Sequence, residues 1–214
     1  HKRFCRHFNI LYPKITKKQD ITKAYLITGA AGFIGFFLSM EILKKGAKVI
    51  GFDNLNDYYP REMKYARLSR LGIADAADIA DEGEPGCGSF PAPSRFCGKF
   101  RFYKCDLSDR QALPGIFARE RFDAVVNLAA QTGAGHSVTH PFDYMESNVV
   151  GFVNLLECCR NYGVGRLVNA GSGIDDVVET VVRALDNAPE VASCSGEVPH
   201  RIFDAGSSDD NQLK

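Results

Sequence analysis

Short apolar runs alternate along the chain with segments whose apolar residues recur every three or four positions. Ala24-Tyr-Leu-Ile-Thr28 is an apolar run closed by Gly29 and predicts a buried strand. Ala30 to Lys45 places Phe33, Ile34, Phe37, Leu38 and Ile42 at helical spacing, with Gly46 as the stop. Lys48 to Asp53 predicts a second strand, and Arg61 to Leu71 a second helix. Residues 72–98 break the rhythm: Pro85, Gly86, Gly88, Pro91 and Pro93 predict a long surface excursion. Phe100 to Cys105 predicts a third strand, and Asp109 to Glu120 a helix with Ser108 as its candidate cap. Phe122 to Leu128 predicts a fourth strand. Phe142 to Tyr162 predicts a long helix with Val149, Val153, Leu156 and Cys159 facing the core. Arg166 to Ala170 predicts a fifth strand, Asp175 to Leu185 a last helix, and His200 to Asp204 a short strand. Strands alternating with helices predict an α/β fold, a Rossmann-type doubly wound parallel sheet.

Composition narrows this only slightly. The 214 residues leave room for one ordinary domain, and 45% hydrophobic with 24% charged residues is average for a globular chain. Lys+Arg and Asp+Glu are both 26, so the net charge is zero and no nucleic-acid partner is expected. No run approaches 18 apolar residues, so no membrane span is expected. Seven cysteines, an odd number without a C-x-x-C pair, predict free thiols in a reducing compartment such as the cytoplasm. Residues 1–23 are basic and predict a solvated leader arm; the chain opens on His rather than Met, so its native start is expected to lie elsewhere.

The first strand and its helix are joined by Thr28-Gly-Ala-Ala-Gly-Phe-Ile-Gly35, with glycines at 29, 32 and 35. A side chain at Gly29 or Gly32 would obstruct the turn or hold a pyrophosphate off the backbone, and Gly35 permits close helix–strand packing. The helix N-terminus then offers free N–H donors and a positive dipole end. Asp53 closes the second strand 18 residues beyond Gly35. A carboxylate there accepts ribose hydroxyls and repels a 2′-phosphate, which points to NAD rather than NADP.

These residues resemble the extended short-chain dehydrogenase/reductase family, and within it the nucleotide-sugar epimerases of the UDP-glucuronate 4-epimerase type. The likeness runs through Tyr25 to Gly35 and Ile50 to Tyr59, where Asp53-Asn-Leu-Asn-Asp-Tyr-Tyr59 is the more specific piece. It continues through Cys105 to Asp109, Val125 to Gln131 and Ser147 to Gly151, and more loosely from Ile174 to Gly206. The resemblance implies an NAD-binding domain over 24–173 and a remnant of the C-terminal part over 174–214, with the substrate-binding part largely missing. It implies that Gly29, Gly32, Phe33, Ile34 and Gly35 line the pyrophosphate. Asp53 and Asn54 would hold the adenosine ribose, and Asp106 and Leu107 the adenine edge. Ala129, Ala130, Gln131 and Asn148 would lie along the nicotinamide half, and Ser172 would meet the reacting hydroxyl of a UDP-sugar substrate. It also implies a homodimer paired through long helices. The activity implied is 4-epimerisation of a UDP-uronic acid by transient hydride transfer; a sugar-nucleotide dehydratase or decarboxylase, or an inactive NAD-binding fragment, are the other readings.

The sequence departs from the family in one respect. The chemistry needs Tyr-x-x-x-Lys, whose side chains share a helix face so that the ammonium lowers the phenol pKa. None of the eight tyrosines has Lys four residues on; Tyr162 with Arg166 comes closest. In the resembling family the stretch carrying this pair falls between the segments matched by Gly173 and Ile174. A segment missing from this sequence is expected rather than a true deletion, since a core without it would expose one side of its sheet. Two further clusters are read blandly. His136 and His140 are four residues apart, but Gly133 and Gly135 before them and Pro141 after make the segment a loop, and no third ligand is evident, so no metal is expected. Cys158 and Cys159 are read as helix packing.

Overall fold

The computed structural model describes residues 23–73, 91–131 and 138–169. Their elements run β1 (Ala24–Thr28), α1 (Phe33–Lys44), β2 (Lys48–Asp53), α2 (Arg61–Arg70), β3 (Ala92–Pro93), β4 (Phe100–Lys104), α3 (Ala112–Glu120), β5 (Ala124–Asn127), α4 (Pro141–Tyr144), a π-helical stretch (Met145–Val150), α5 (Gly151–Asn161) and β6 (Leu167–Asn169). The sheet order is β3-β4-β2-β1-β5-β6. All pairings are parallel except that of β3 with β4. The chain leaves β1 to build one half outward through β2 and β4, then returns to the other side of β1 for β5 and β6. A crevice therefore opens between the C-terminal ends of β1 and β5, where such sheets bind ligands.

Both faces of the sheet are covered, which is why its strands read as continuous apolar runs rather than alternating ones. Tyr25, Ile27, Val49, Phe100, Phe102 and Val126 point to the face that packs on α1 and α2, with Leu38, Ile42 and Leu68. Leu26, Ile50, Phe52, Tyr103 and Val125 point to the other, onto α3 and α5, with Ile116, Phe117 and Leu155.

The expected doubly wound sheet is present, with instructive differences. Helix α1 begins at Phe33 rather than Ala30, because Gly29 turns at φ +66° and residues 29–32 form the bend. Ser108 does not cap α3; Asp109 Oδ1 accepts the N–H groups of Gln111 and Ala112 at 2.9 and 3.0 Å. β3 falls inside the expected excursion, and its Pro93 is tolerated because the strand lies at the sheet edge. The long helix buries Cys159 as expected but otherwise a different face from the one expected. Val149 and Val153 stay 45% and 48% exposed, while Gly151, Asn154, Leu155, Cys158 and Cys159 turn inward. Small and polar residues win because this face lies on the Leu107 segment. A methyl on Gly151 would stand 2.8 Å from Leu107 Cβ, and Asn154 Nδ2 donates to the Leu107 and Ser108 carbonyls at 2.9 and 3.1 Å.

Cys158 and Cys159 are core thiols as expected, pushed up by burial to about 11 and about 12. Cys97 is also free. Cys105, the buried residue after β4, is disulfide-bonded, so the expectation of seven free thiols fails there. The bonding partner lies outside the described residues, as do residues 1–22, His136, Ser172, the Gly173–Ile174 junction and the elements expected beyond it. Among the described residues no helix is long and apolar enough to cross a membrane.

At the N-terminal edge of the sheet, away from the crevice, one carboxylate holds three elements together. Glu120, buried at the end of α3, accepts Lys48 Nζ at 2.7 Å, Arg101 Nη1 at 3.0 Å and Tyr103 Oη at 2.9 Å. Burial alone would raise its carboxyl, but the Lys48, Tyr103 and Arg101 donors outweigh that and hold it below the ordinary value. A depressed folded-state value stabilises the fold above the unfolded value and loses that contribution as pH falls through the folded one. Glu120→Gln is therefore expected to cost about 2–4 kcal/mol at pH 7, in line with breaking a buried charge cluster. Urea unfolding across pH 3–7 checks this: the wild type loses its advantage over the variant on acidification, and a constant gap contradicts the assignment.

Candidate functional site

The C-terminal edge of the sheet gathers the residues singled out in the sequence. The bend after β1 is shaped by what glycine allows. Gly29 has a positive φ of 66°, and a methyl there would lie 3.0 Å from the Leu128 carbonyl and the Ala129 nitrogen. A methyl on Gly35 would lie 2.2 Å from the Gly29 carbonyl oxygen, inside any permitted contact. So α1 sits directly on the bend because its third residue has no side chain. Gly32 caps the helix through its backbone only, donating to the Gly29 carbonyl at 2.9 Å, with no side-chain cap and no acidic residue in the first turn. By helix geometry the first N–H groups of α1 lack intrahelical acceptors. With the dipole's positive end, they make the bend a cradle with the donors and clearance that a diphosphate needs.

Asp53 stands beside the bend at the end of β2 and is buried. Its Oδ2 accepts the Ala31 N–H at 3.2 Å, and its Oδ1 accepts the Leu55 N–H at 2.9 Å. Leu55 takes a positive φ of 55°, uncommon for its type, and is held there by that bond and by burial. Asn54 turns the other way and donates to Asp106 Oδ2 at 2.7 Å. Burial would raise the Asp106 carboxyl, but the Asn54 amide and the Ser108 N–H and hydroxyl overcome this and lower it. Asn54 and Asp106, expected on adjoining parts of an adenosine, are thus in direct contact, with Leu107 buried next to them.

On the other side of the crevice Ala129, Ala130 and Gln131 follow β5. Asn148, in the π-helical stretch, clamps that segment: its Oδ1 accepts the Gln131 N–H at 2.8 Å and its Nδ2 donates to the Gln131 carbonyl at 2.9 Å. A π-helical turn widens the helix locally and is frequent at functional sites.

Several contributors carried no signal strong enough to find in the sequence. Lys64 and Arg67, both on α2, reach this edge. Lys64 Nζ lies 3.2 Å from Asp53 Oδ1, and Arg67 Nη1 donates to the Ala31 carbonyl at 3.1 Å. Their only trace is a pair of basic residues three apart on the inward face of a helix with few apolar residues. A hydrogen-bonded chain also ties three strand ends together. Thr28 Oγ1 accepts the Leu128 and Ala129 N–H groups at 3.0 Å each and donates to Asn127 Oδ1. Asn127 Nδ2 then donates to Asn169 Oδ1 at 2.8 Å. Tyr162 and Arg166, the pair nearest to Tyr-x-x-x-Lys, fall beyond the end of α5 and before β6, so they share no helix face. Tyr162 packs instead near Phe117, with ring centroids 5.8 Å apart. Among the described residues no cluster of His, Cys, Asp and Glu is arranged to hold a metal.

Gly35→Ala forces α1 off the bend. It is expected to destabilise the fold by about 1–3 kcal/mol, as overpacking does, and to weaken NAD binding by more than tenfold. Chemical unfolding and NAD titration of the variant check both; unchanged affinity contradicts the role given to this contact.

Residues 25–174 match the NAD dependent epimerase/dehydratase family. The UDP-glucuronate 4-epimerase of Thermodesulfobacterium geofontis (strain OPF15) is 37% identical over 148 residues, 69% of this chain and 39% of that protein. UDP-glucose 4-epimerase 2 of Oryza sativa subsp. japonica is 31% identical over 177 residues, 83% of this chain and 35% of that protein. A crystal structure of UDP-glucose-4-epimerase from Stenotrophomonas maltophila, with bound NAD and formylated UDP-arabinopyranose, superposes at a TM-score of 0.51 with 26% identity. It covers 71% of this chain and 37% of that one. The chain thus spans little more than a third of the length of these relatives. With the glycine bend, the acid closing β2 and the parallel sheet that brings them together, this match over residues 25–174 makes the chain a member of the NAD-dependent epimerase/dehydratase family of extended short-chain dehydrogenases/reductases, with NAD as its cofactor.

Proposed function

We propose that this chain is the NAD-holding part, over residues 24–173, of a nucleotide-sugar 4-epimerase that interconverts UDP-glucuronate and UDP-galacturonate. The observation that carries the reading is the contact of Gly35 with the Gly29 carbonyl, which leaves the first turn of α1 bare beside Asp53. In this reading Gly29, Gly32, Phe33, Ile34 and Gly35 receive the pyrophosphate on backbone N–H groups. Asp53 and Asn54 take the adenosine ribose, while Asp106 and Leu107 border the adenine. Ala129, Ala130 and Gln131, fixed by Asn148, support the nicotinamide half. Ser172 orients the reacting sugar hydroxyl. When bound, NAD supplies reversible acceptance of a hydride from the sugar C4. The uronic acid as substrate is favoured by the relative from Thermodesulfobacterium geofontis, whose name specifies UDP-glucuronate and whose identity exceeds that of the rice UDP-glucose relative.

A second reading applies to the 214-residue chain as it stands. None of its eight tyrosines carries Lys at the fourth following position, so the chain has no Tyr-x-x-x-Lys base of its own. The chain alone is expected to bind NAD in calorimetry yet to fall at least about 10²–10⁴-fold short in turnover, the usual loss with a general base. Full turnover by material whose mass matches these 214 residues contradicts this. The whole natural protein is expected to yield UDP-galacturonate from UDP-glucuronate in chromatographic product analysis. A dehydrated or decarboxylated sugar assigns it instead to a different reaction of the same family. Ser172→Ala is expected to lower kcat while leaving NAD affinity unchanged.

The homodimer is part of the proposal. Phe142, Met145, Val149 and Val153 form an outward apolar stripe along α4, the π-helical stretch and α5, exposed by 83%, 55%, 45% and 48%. A stripe this long on one helix fits a matching helix of a second copy. Val149→Glu with Val153→Glu is expected to leave the fold intact and halve the mass found by light scattering; an unchanged mass contradicts pairing through this helix.

A further inference from the structure

Among the described residues Cys105 is disulfide-bonded, while Cys97, Cys158 and Cys159 are free. Of the seven cysteines this leaves Cys5, Cys87 or Cys194 as its partner. The register at the sheet edge separates the three. β3 runs antiparallel to β4, with Ala92 opposite Phe102 and Pro93 opposite Arg101. Carried back along the chain from Ala92, that register sets Ser89 opposite Cys105. Directly opposite residues share a face of a sheet, and so do residues two apart on one strand. Cys87 therefore falls on the Cys105 side, on the diagonal, where Cα atoms stand about 7–8 Å apart. A disulfide spans about 4.4–6.8 Å between Cα atoms, and Gly88 next to Cys87 gives the backbone the freedom to close that small difference. The rivals start far off. Lys23, from which the chain leads back to Cys5, stands at the opposite end of the sheet, where its carbonyl accepts the Lys48 N–H at 2.9 Å. Asn169, from which the chain leads on to Cys194, ends β6, and three strands lie between β6 and β4. Closing a loop of 18 residues rather than 89 or 100 is also favoured about tenfold by chain entropy alone. The bond sits where the site can feel it. The Cys105 N–H donates to the Asp53 carbonyl at 3.1 Å, and Cys105 Sγ lies 3.5 Å from the Asp106 carbonyl oxygen. Asp106 in turn accepts Asn54 Nδ2 at 2.7 Å. The ends of β2 and β4 thus form one hydrogen-bonded corner, and the cross-link fastens that corner from outside.

We infer that Cys105 is paired with Cys87 and that this bond is a redox-sensitive staple at the β4 end of the coenzyme site. The pairing stands on register alone; its effect on the coenzyme rests on the reading of Asp106 and Leu107 as the adenine border. Oxidised, the staple holds the corner in one arrangement, so that less ordering remains to be done when NAD+ binds. A dithiol reductant opens it in two exchange steps. Cys105 is only 5% exposed, so the first thiolate attacks the Cys87 sulfur; the S–S bond breaks and Cys105 leaves as a thiolate that takes up a proton. The second thiolate then attacks the reductant's own sulfur in the mixed disulfide, which releases Cys87 as a thiol and the reductant as a cyclic disulfide. The two electrons gained by the cysteines come from the dithiol. Closing the staple runs the exchange in reverse with a small-molecule disulfide as oxidant, which is itself reduced to two thiols.

The test begins with the 214-residue chain purified without reductant, alkylated, digested and mapped by mass spectrometry. The expected result is a linked peptide pair joining Cys87 to Cys105 that disappears after dithiothreitol. A link from Cys105 to Cys5 or Cys194, or an alkylated Cys105 in the unreduced chain, overturns the pairing. Isothermal titration with NAD+ before and after dithiothreitol is then expected to show the Kd rise by at least about threefold on reduction. Cys87→Ser is expected to show the weaker affinity and no response to the reductant, whereas Cys97→Ser keeps the response of the wild type. An equal Kd in the two redox states overturns the switch, as does a bond that survives dithiothreitol in folded protein. Unfolding of the chain on reduction, read by circular dichroism, overturns it too, since the staple would then hold the whole fold rather than one corner. Absence of NAD+ binding in both states, with the Cys87–Cys105 peptide present, overturns the site reading itself, which separates that failure from failure of the staple.

Discussion

The site depends on the contact between Gly35 and the carbonyl of Gly29. No atom larger than hydrogen fits between them, since a methyl would stand 2.2 Å from the oxygen. That approach brings the start of α1 onto the strand it has just left and holds the bend in a left-handed step at Gly29. The helix then presents backbone donors at the crevice between β1 and β5, with Asp53 alongside. The rest of the sheet exists on both sides of β1 to keep that corner still, and it does so by burying both faces of the strand that leads into it.

Much of this was legible in the sequence because it is local. A buried parallel strand shows as an apolar run, a glycine bend as three spaced glycines, and an acid at a strand end as a single letter. Apart from β3, which patterning does not show, the strands from Ala24 to Asn169 fall within a residue or two of where patterning places them. The long helix departs from its hydrophobic pattern for a physical reason. Hydrophobicity points Val149 and Val153 inward, yet the face that packs is the one with Gly151 and Asn154, because close approach to Leu107 and satisfaction of two carbonyls outweigh burial of two valines. The Ser108 cap failed in a similar way: Asp109 carries the better acceptor for the same N–H groups, and Ser108 donates to Asp106 instead.

What stayed hidden was everything that joins distant segments through side chains. Lys64 and Asp53 are 11 residues apart, and Thr28 and Asn127 are 99 apart. Spacing encodes no signal for such pairs, because they meet only when the crossovers are built. Glu120 illustrates the point: in sequence it is the acidic end of an ordinary helix, and in space it is the common acceptor for Lys48, Arg101 and Tyr103. Charged residues near the cradle therefore look like solvated helix surface until α2 is laid against it.

The chain from Thr28 through Asn127 to Asn169 has a consequence for the sheet itself. Side chains along a strand alternate between its two faces, so sliding β5 by one residue would bring Val126 or Leu128 to the place of Asn127 and point it to the wrong side. Such a slip would leave the buried Thr28 hydroxyl without Asn127 and break the link from there to Asn169. The three strands are thus pinned in register at the end where they meet the crevice. Precision at that rim comes from the lattice of the sheet rather than from the loops that extend beyond it.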